Sequence, residues 1–330
     1  MKLFASSSIA LAALLQSSQV AAHTFIWGVF LNGVDQGSFR GIRTPAFNGA
    51  PPSGYNNSPV KNLTSIDMRC NVLGDFQNSH TIKVVPGDTL TFDWHHDYRT
   101  PADDVIDTSH HGPAMIYLSP DPPTENSFVK IWEKGLWDAG EMLKPGKWAT
   151  TADIKANGGL MHMRVPEGLK AGFYLVRAEL VGLHESDARF DQNPIRGAQF
   201  YPNCVQIEVT GDGTVELPEG VGFPGAYKYS DPGVHYDIYC STKTKITAPC
   251  TLTYEIPGPT VWSGAYPDTT AVEVGPVSGA TAKQPWSSWI IKSVVTSATY
   301  SGTKAFATAT SVYTASWSSV YQTPTPAPMS

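Results

Sequence analysis

His23 follows Val20-Ala21-Ala22, whose small residues at the third and first places before it suit signal peptidase. Lys2 gives a positive start, and Ile9 to Leu15 form an apolar core too short to span a bilayer. Cleavage after Ala22 would leave His23 as the first residue, with a free α-amine. That amine and the imidazole of the same residue can close on one metal ion as a bidentate chelate. An internal histidine cannot do this, because its nitrogen is an amide. The amine must lose a proton to bind, and its ordinary pKa is about 7.7–8.0, so such binding weakens in acid.

A chelate needs further ligands. Thr108-Ser109-His110-His111-Gly112-Pro113 offers two more imidazoles ahead of a strand. Nitrogen donors around an open position suit copper better than calcium or magnesium, which take oxygen. In Gly197-Ala198-Gln199-Phe200-Tyr201-Pro202-Asn203-Cys204, residues 199 and 201 point the same way on a strand. The amide of Gln199 and the phenol of Tyr201 therefore share a face, and the phenol could complete an axial position. Cys204 faces the opposite side if the strand stays regular through Pro202. Each residue also has a plain reading: His110 a loop histidine, Tyr201 a strand tyrosine, His184 a satisfied core histidine. His111, and His95 and His96 at the end of a strand, read as structural. Asp103, Asp104 and Asp107 read as a solvated loop, since the glycine-spaced loop of a calcium site is missing.

The elements that must position these residues read as strands. Thr81 to Val85 alternates, Pro86-Gly87-Asp88 turns the chain, and Thr89 to Trp94 follows. Ala114 to Leu118 is another strand. Gly172 to His184 is the clearest, with Tyr174, Val176, Ala178 and Leu180 on one face, and Ala198 to Val209 alternates again. Helical periodicity is weak after residue 22. Short strands, frequent turns and distant cysteines predict an all-β, immunoglobulin- or fibronectin-III-like sandwich with long loops.

The formal charge of −6 argues against nucleic acid as the main partner. No stretch after the leader is apolar enough to cross a membrane, and the C-terminus lacks the hydrophobic tail of a lipid-anchor signal. The expected setting is secreted and extracellular, and the expected state a monomer. Four cysteines remain after cleavage: Cys70, Cys204, Cys240 and Cys250. Three pairings are open and spacing alone does not choose; Cys240–Cys250 with Cys70–Cys204 is the preferred reading. Sequons at Asn56 and Asn62 mark an exposed, glycosylated loop. Past Pro257-Gly258-Pro259 the composition turns to Ser, Thr and Ala. Residues 1–22 are read as signal, 23–263 as the working domain and 264–330 as a linker-like, poorly ordered tail.

The chain resembles a known family through an ordered set of segments. These are His23-Thr24-Phe25, Ser65 to Asn71, Ser109-His110-His111-Gly112-Pro113, Leu175 to His184, Gly197 to Cys204 and Tyr254-Glu255-Ile256-Pro257-Gly258-Pro259. In this order they resemble fungal lytic polysaccharide monooxygenases of auxiliary activity family 9, formerly glycoside hydrolase family 61. The resemblance spans about residues 23 to 263. It implies one copper ion held by His23 and His110, with Tyr201 axial and His184 and Gln199 hydrogen-bonding oxygen species beside it. It implies a Cys70–Cys204 disulfide, and many fungal members carry a methyl group on the first histidine's ring. It implies oxidative cleavage of cellulose or a related β-glucan, using O2 or H2O2 and an external electron donor, on a flat face around the copper. Tyr254, Tyr236 and Tyr55 are candidates to stack on sugar rings there, or simply to pack on the sandwich.

Three departures from the family pattern stand out. Arg189, Asp191 and Arg196 occupy a segment between His184 and Gln199 where members often have small residues, which could reorient the groups beside the metal. Cys240 and Cys250 form a local pair that many members lack. The tail has none of the cysteines of a cellulose-binding module. Two other readings are kept: a copper- or carbohydrate-binding protein without turnover, and a two-carboxylate hydrolase using Glu179 and Glu185.

Overall fold

The computed structural model describes residues 23–45, 57–139, 144–240, 253–266 and 271–277. Its strands, in chain order, are β1 (Phe25–Leu31), β2 (Val34–Asp35), β3 (Ile42–Arg43), β4 (Ile82–Val84) and β5 (Thr89–His95). There follow β6 (Ala114–Pro120), β7 (Val129–Lys134), β8 (Leu136–Asp138), β9 (Lys147–Trp148), β10 (Leu160–Arg164), β11 (Gly172–Gly182) and β12 (Gln199–Val209). One helical turn, α1 (Asp67–Cys70), precedes β4, and a π-helical segment covers Ala149–Ile154.

Two sheets face each other. One has the order β10-β5-β1-β2; the other runs β3-β12-β11-β6-β7, with β4 parallel to β12. Between them lie Ile26 and Val29 of β1, Phe92 and Trp94 of β5, and Tyr174, Val176, Ala178 and Leu180 of β11. The four β11 residues read as one face thus form part of the core between the sheets. The result is the expected all-β sandwich, antiparallel among its named strands except for the β4–β12 pair.

The larger sheet is also covered on its outer face. Leu175 and Val181 of β11 and Met115 and Tyr117 of β6 pack there against Val60, Leu63 and Met68, and against Phe223, Tyr227 and Ile238. This second layer explains why β11 is buried almost without interruption from Tyr174 to Gly182. Alternation misses β1 of the smaller sheet, where Phe25 and Trp27 cluster with Phe39 apart from the main core. β1, Phe-Ile-Trp-Gly-Val-Phe-Leu, is buried through its first six residues and so carries no polar face to reveal its period.

The covering layer is pinned by polar contacts. Arg177 and Glu179 are fully buried and joined to each other. Arg177 donates to the carbonyls of Met68 and Arg69, and its guanidinium lies 3.7 Å from the Phe223 ring centroid. Tyr227 donates to Glu179 Oε2 at 2.7 Å. The Cys70–Cys204 disulfide, with Cα atoms 5.1 Å apart, ties α1 to β12 on this same face. Cys240 is disulfide-bonded as well, whereas Cys250 lies outside the described residues, as do the leader, Tyr55 and the Asn56 sequon. Asn62 is exposed, with Thr64 donating to its Oδ1.

Part of the stretch read as tail lies against the body. Tyr266 stacks on the Arg164 guanidinium at 4.0 Å and donates to Glu167. Further on, Gly275 N donates to the Gly33 carbonyl at 2.8 Å. The Glu273 carbonyl sits where a Cβ on Gly33 would be 2.5 Å away. Composition hid these contacts because they use one aromatic ring and backbone, not an apolar period.

Glu179→Ala would leave Arg177 buried with its charge unpaired. The expected cost is about 3–5 kcal/mol, read as a lower denaturation midpoint at unchanged slope. A loss below about 1 kcal/mol would show that the pair does not hold the covering layer.

Candidate metal centre

Strand direction brings the predicted residues to one end of the sandwich. Phe25 pairs with His95, so β1 begins where β5 ends. Leu180 pairs with Ala114 and Gly182 with Gln199, so β6 and β12 begin where β11 ends. Asn203 Oδ1 accepts from Ile26 N at 3.2 Å and links the two sheets there. His23 precedes β1, His110 precedes β6, His184 follows β11, and Gln199 and Tyr201 open β12.

His110 is buried at the centre of this end. Its Nδ1 faces Ser109 Oγ at 3.2 Å, and its Nε2 lies 3.2 Å from Gln199 Oε1 and 3.1 Å from the Tyr201 hydroxyl. Tyr201 donates to Gln199 Oε1 at 2.8 Å, as its two-residue spacing from Gln199 requires. The His184 ring lies tilted by 35° against that of His110 with centroids 3.9 Å apart, and its Nε2 lies 3.2 Å from Gln199 Nε2. The rings can approach so closely because residue 182 is glycine. A Cβ there would stand 2.8 Å from His110 Cδ2 and 3.3 Å from His184 Nδ1.

Burial sets the charge states. It pushes His110 down to about 3, helped by the like charge His184 would carry. Burial likewise lowers His184, and lowers His23 together with neighbouring His96 and His184. The three rings are therefore neutral near pH 7, each with one unprotonated nitrogen. Burial raises Tyr201 well above its ordinary value, so it stays a phenol. A buried neutral imidazole, a second neutral imidazole at His23 and a protonated phenol form a donor set that fits a nitrogen-preferring ion such as copper.

Two residues that the sequence did not single out, and Glu185 in a role it did not foresee, support this set. Thr150, in the π-helical segment, donates to the His110 carbonyl at 2.6 Å. Thr151 Oγ1 lies 2.8 Å from His111 Nδ1, which ties the histidine loop to the same π-helical segment. Glu185 Oε2 accepts from Gln199 Nε2 at 3.0 Å. No local motif marks these residues, since their partners lie 14 to 40 positions away.

The other candidates lie nearby but do other work. His95 Nε2 faces Asp93 at 2.9 Å, and His96 Nδ1 faces Asp97 at 2.9 Å. His96, Asp97 and Asp103 bring ligand-type atoms within 4.8 Å of one another. Asp103 Oδ2, however, accepts the backbone N–H groups of His96, Asp97 and Tyr98, which is a loop cap. Tyr254 packs edge-on against Trp148 and Tyr236, and its hydroxyl donates to the Gly233 carbonyl at 2.6 Å. Tyr236 is half-buried in the same cluster, and its N–H donates to the Ser186 carbonyl, two residues past His184. The packed alternative therefore describes Tyr254 better than a free stacking ring.

Residues 23–247 match the family described as Auxiliary Activity family 9 (formerly GH61). An AA9 family lytic polysaccharide monooxygenase A of Schizophyllum commune is 44% identical over 248 residues, which are 74% of this chain and 91% of that one. The Aspergillus clavatus protein of the same description is 42% identical over 78% of this chain and 66% of its own length. The chain thus spans just under two thirds of that relative. Among solved structures, CvAA9A is 38% identical with a TM-score of 0.63, covering 74% of this chain and all of that one. The extended catalytic domain of H. jecorina LPMO9A is 26% identical with a TM-score of 0.55, covering 78% of this chain and 97% of that one. The chain belongs to Auxiliary Activity family 9.

Gly182→Ala would force the His110 and His184 rings apart, an overpacking cost of about 1–3 kcal/mol. Cu(II) affinity is expected to fall about tenfold or more by calorimetry, with circular dichroism unchanged. Unaltered affinity would show that this close approach does not shape the metal site.

Proposed function

We propose that the chain is a secreted, copper-dependent lytic polysaccharide monooxygenase that begins, once processed, at His23. Cellulose or a related β-glucan is the substrate, O2 or H2O2 the oxidant, and an external electron donor supplies the reductant. The observation that carries this reading is the buried His110–Gln199–Tyr201–His184 cluster beside His23, in a chain of this family.

One copper ion would be held by the α-amine and ring nitrogen of His23 and by Nε2 of His110. When bound, it supplies the one-electron chemistry that activates oxygen for hydroxylating a C–H bond beside the glycosidic link. The protein's own residues orient, exclude water and hold protons. Burial keeps His110 neutral, so at neutral pH its ring carries one proton, not two, and one nitrogen can offer a lone pair. Tyr201 keeps its phenolic proton and donates it to Gln199 Oε1 in a hydrogen bond, so beside a bound copper it would be a neutral phenol and not a phenolate. His184 and Gln199 place polar hydrogen-bonding groups at the edge of the site. Of the aromatic candidates for sugar stacking, Tyr236 is better placed, since its backbone is tied to the segment after His184 and Tyr254's hydroxyl is engaged.

The hydrolase alternative is disfavoured by a specific observation. Glu179 is fully buried and committed to Arg177 and Tyr227, which removes one of its two acids from contact with sugar. Binding without turnover is separated from catalysis by products.

Mass spectrometry of soluble products from several glucans is expected to show oxidised chain ends with ascorbate and none with strong chelator. Products that survive chelation without oxidised ends would overturn the oxygenase. His23→Ala, or one residue added before His23, is expected to abolish tight Cu(II) binding; an unchanged calorimetric affinity would refute the chelate. Gln199→Ala is expected to keep copper bound while slowing product formation about 10–100-fold, and an unchanged rate would count against its role.

A further inference from the structure

Gln199 faces two ways. Its Nε2 lies 3.0 Å from Glu185 Oε2 and 3.2 Å from His184 Nε2. Its Oε1 accepts from the Tyr201 hydroxyl at 2.8 Å and lies 3.2 Å from His110 Nε2. A carboxamide has nearly the same shape after a half-turn, so packing does not choose between its two orientations. The Tyr201 hydroxyl does not choose either, because it can donate or accept. A neutral His184 ring can offer Nε2 as donor or as acceptor, depending on its tautomer. An ionised carboxylate only accepts. Of the side chains that these bonds join to Gln199, Glu185 alone has that property. The carbonyl of Glu185 accepts from Gly197 N at 3.0 Å, which anchors it to the loop entering Gln199. Lys61 Nζ stands 3.6 Å from its carboxylate and offers a countercharge.

We propose that Glu185 is a positioning residue: it holds the Gln199 amide nitrogen toward His184 and the amide oxygen toward His110 and Tyr201, and so selects which nitrogen of His184 carries the proton. The carboxylate takes one N–H of the amide, and the other points at His184 Nε2. That nitrogen then presents its lone pair, and the neutral ring carries its proton on Nδ1. His184 Nδ1 is buried and has no hydrogen-bond partner among the described residues. Left to itself, the ring would do better with the proton on Nε2, donating to a reversed amide oxygen, and no orphaned N–H at Nδ1. Glu185 forbids that arrangement by setting oxygen against oxygen. The polar face turned toward His110 is therefore an acceptor, not a pair of N–H donors. Its consequence for oxidation rests on the copper reading above; the amide and tautomer assignment does not.

The test uses the full secreted chain stripped of metal, with ring-nitrogen NMR shifts of His184 and side-chain amide shifts of Gln199. The wild type is expected to show a protonated Nδ1 and an unprotonated Nε2. Glu185→Ala is expected to move the majority of His184 to the Nε2–H form. Glu185→Gln, isosteric but able to donate, is expected to populate both forms and guards against loss of fold in the alanine variant. A wild-type proton on Nε2, or unchanged His184 shifts in both folded variants, would overturn the proposal. Copper titration of the same samples reads the metal site separately. A chain that binds no copper yet shows the tautomer switch would sink the function reading and leave this one standing.

Discussion

A histidine binds a metal only through an unprotonated ring nitrogen, and this fold keeps His110 neutral by burying it. The buried ring, held down to about 3, faces three polar groups that hydrogen-bond one another: Gln199, Tyr201 and, through Gln199, His184. Polar side chains at such depth cost free energy unless they find partners. Each finds most of its partners within the group, which makes the cluster stiff. The missing Cβ at Gly182 is what allows two imidazole centroids to lie 3.9 Å apart within it. Geometry and proton affinity are thus two results of one packing arrangement.

The second layer over the larger sheet extends that arrangement outward. Val60 pairs with Phe200 between Gln199 and Tyr201, so the covering segment grips β12 at the site itself. Tyr236 N–H holds Ser186, and Lys61 faces Glu185. The segment after His184 is therefore fixed from the covering layer as well as from the sheet. The buried Arg177–Glu179–Tyr227 contacts and the Cys70–Cys204 bridge hold that layer down. The outer face and the His110 end of the sandwich share these segments.

β5, β11 and β12 were legible because polar residues alternate with apolar ones along parts of them, although both of their faces are largely buried. β5 and β12 fall within a residue of their predicted ends, and β11 ends two residues short of His184. β1 was not legible, because its residues are all apolar or glycine and leave no polar position to mark the period. The charged segment between His184 and Gln199 was noted for Arg189, Asp191 and Arg196. Arg189 pairs with Asp191 and Arg196 with Asp187 at the surface. The charge that reaches Gln199 is Glu185, which composition does not distinguish from its neighbours.

Residue order alone determined the ligand types, the shared face of Gln199 and Tyr201, and the opposite facing of Cys204, because these depend only on local geometry and strand period. Tertiary structure alone decided that Thr150 supports the His110 loop, that Tyr254 packs inward and that Glu185 meets the Gln199 amide. Those contacts join distant segments, and only the antiparallel order of β1, β5, β6, β11 and β12 carries them to one end of the sandwich. A pattern along the chain records which side a residue faces; which residue faces it back depends on how the strands are ordered and the loops close.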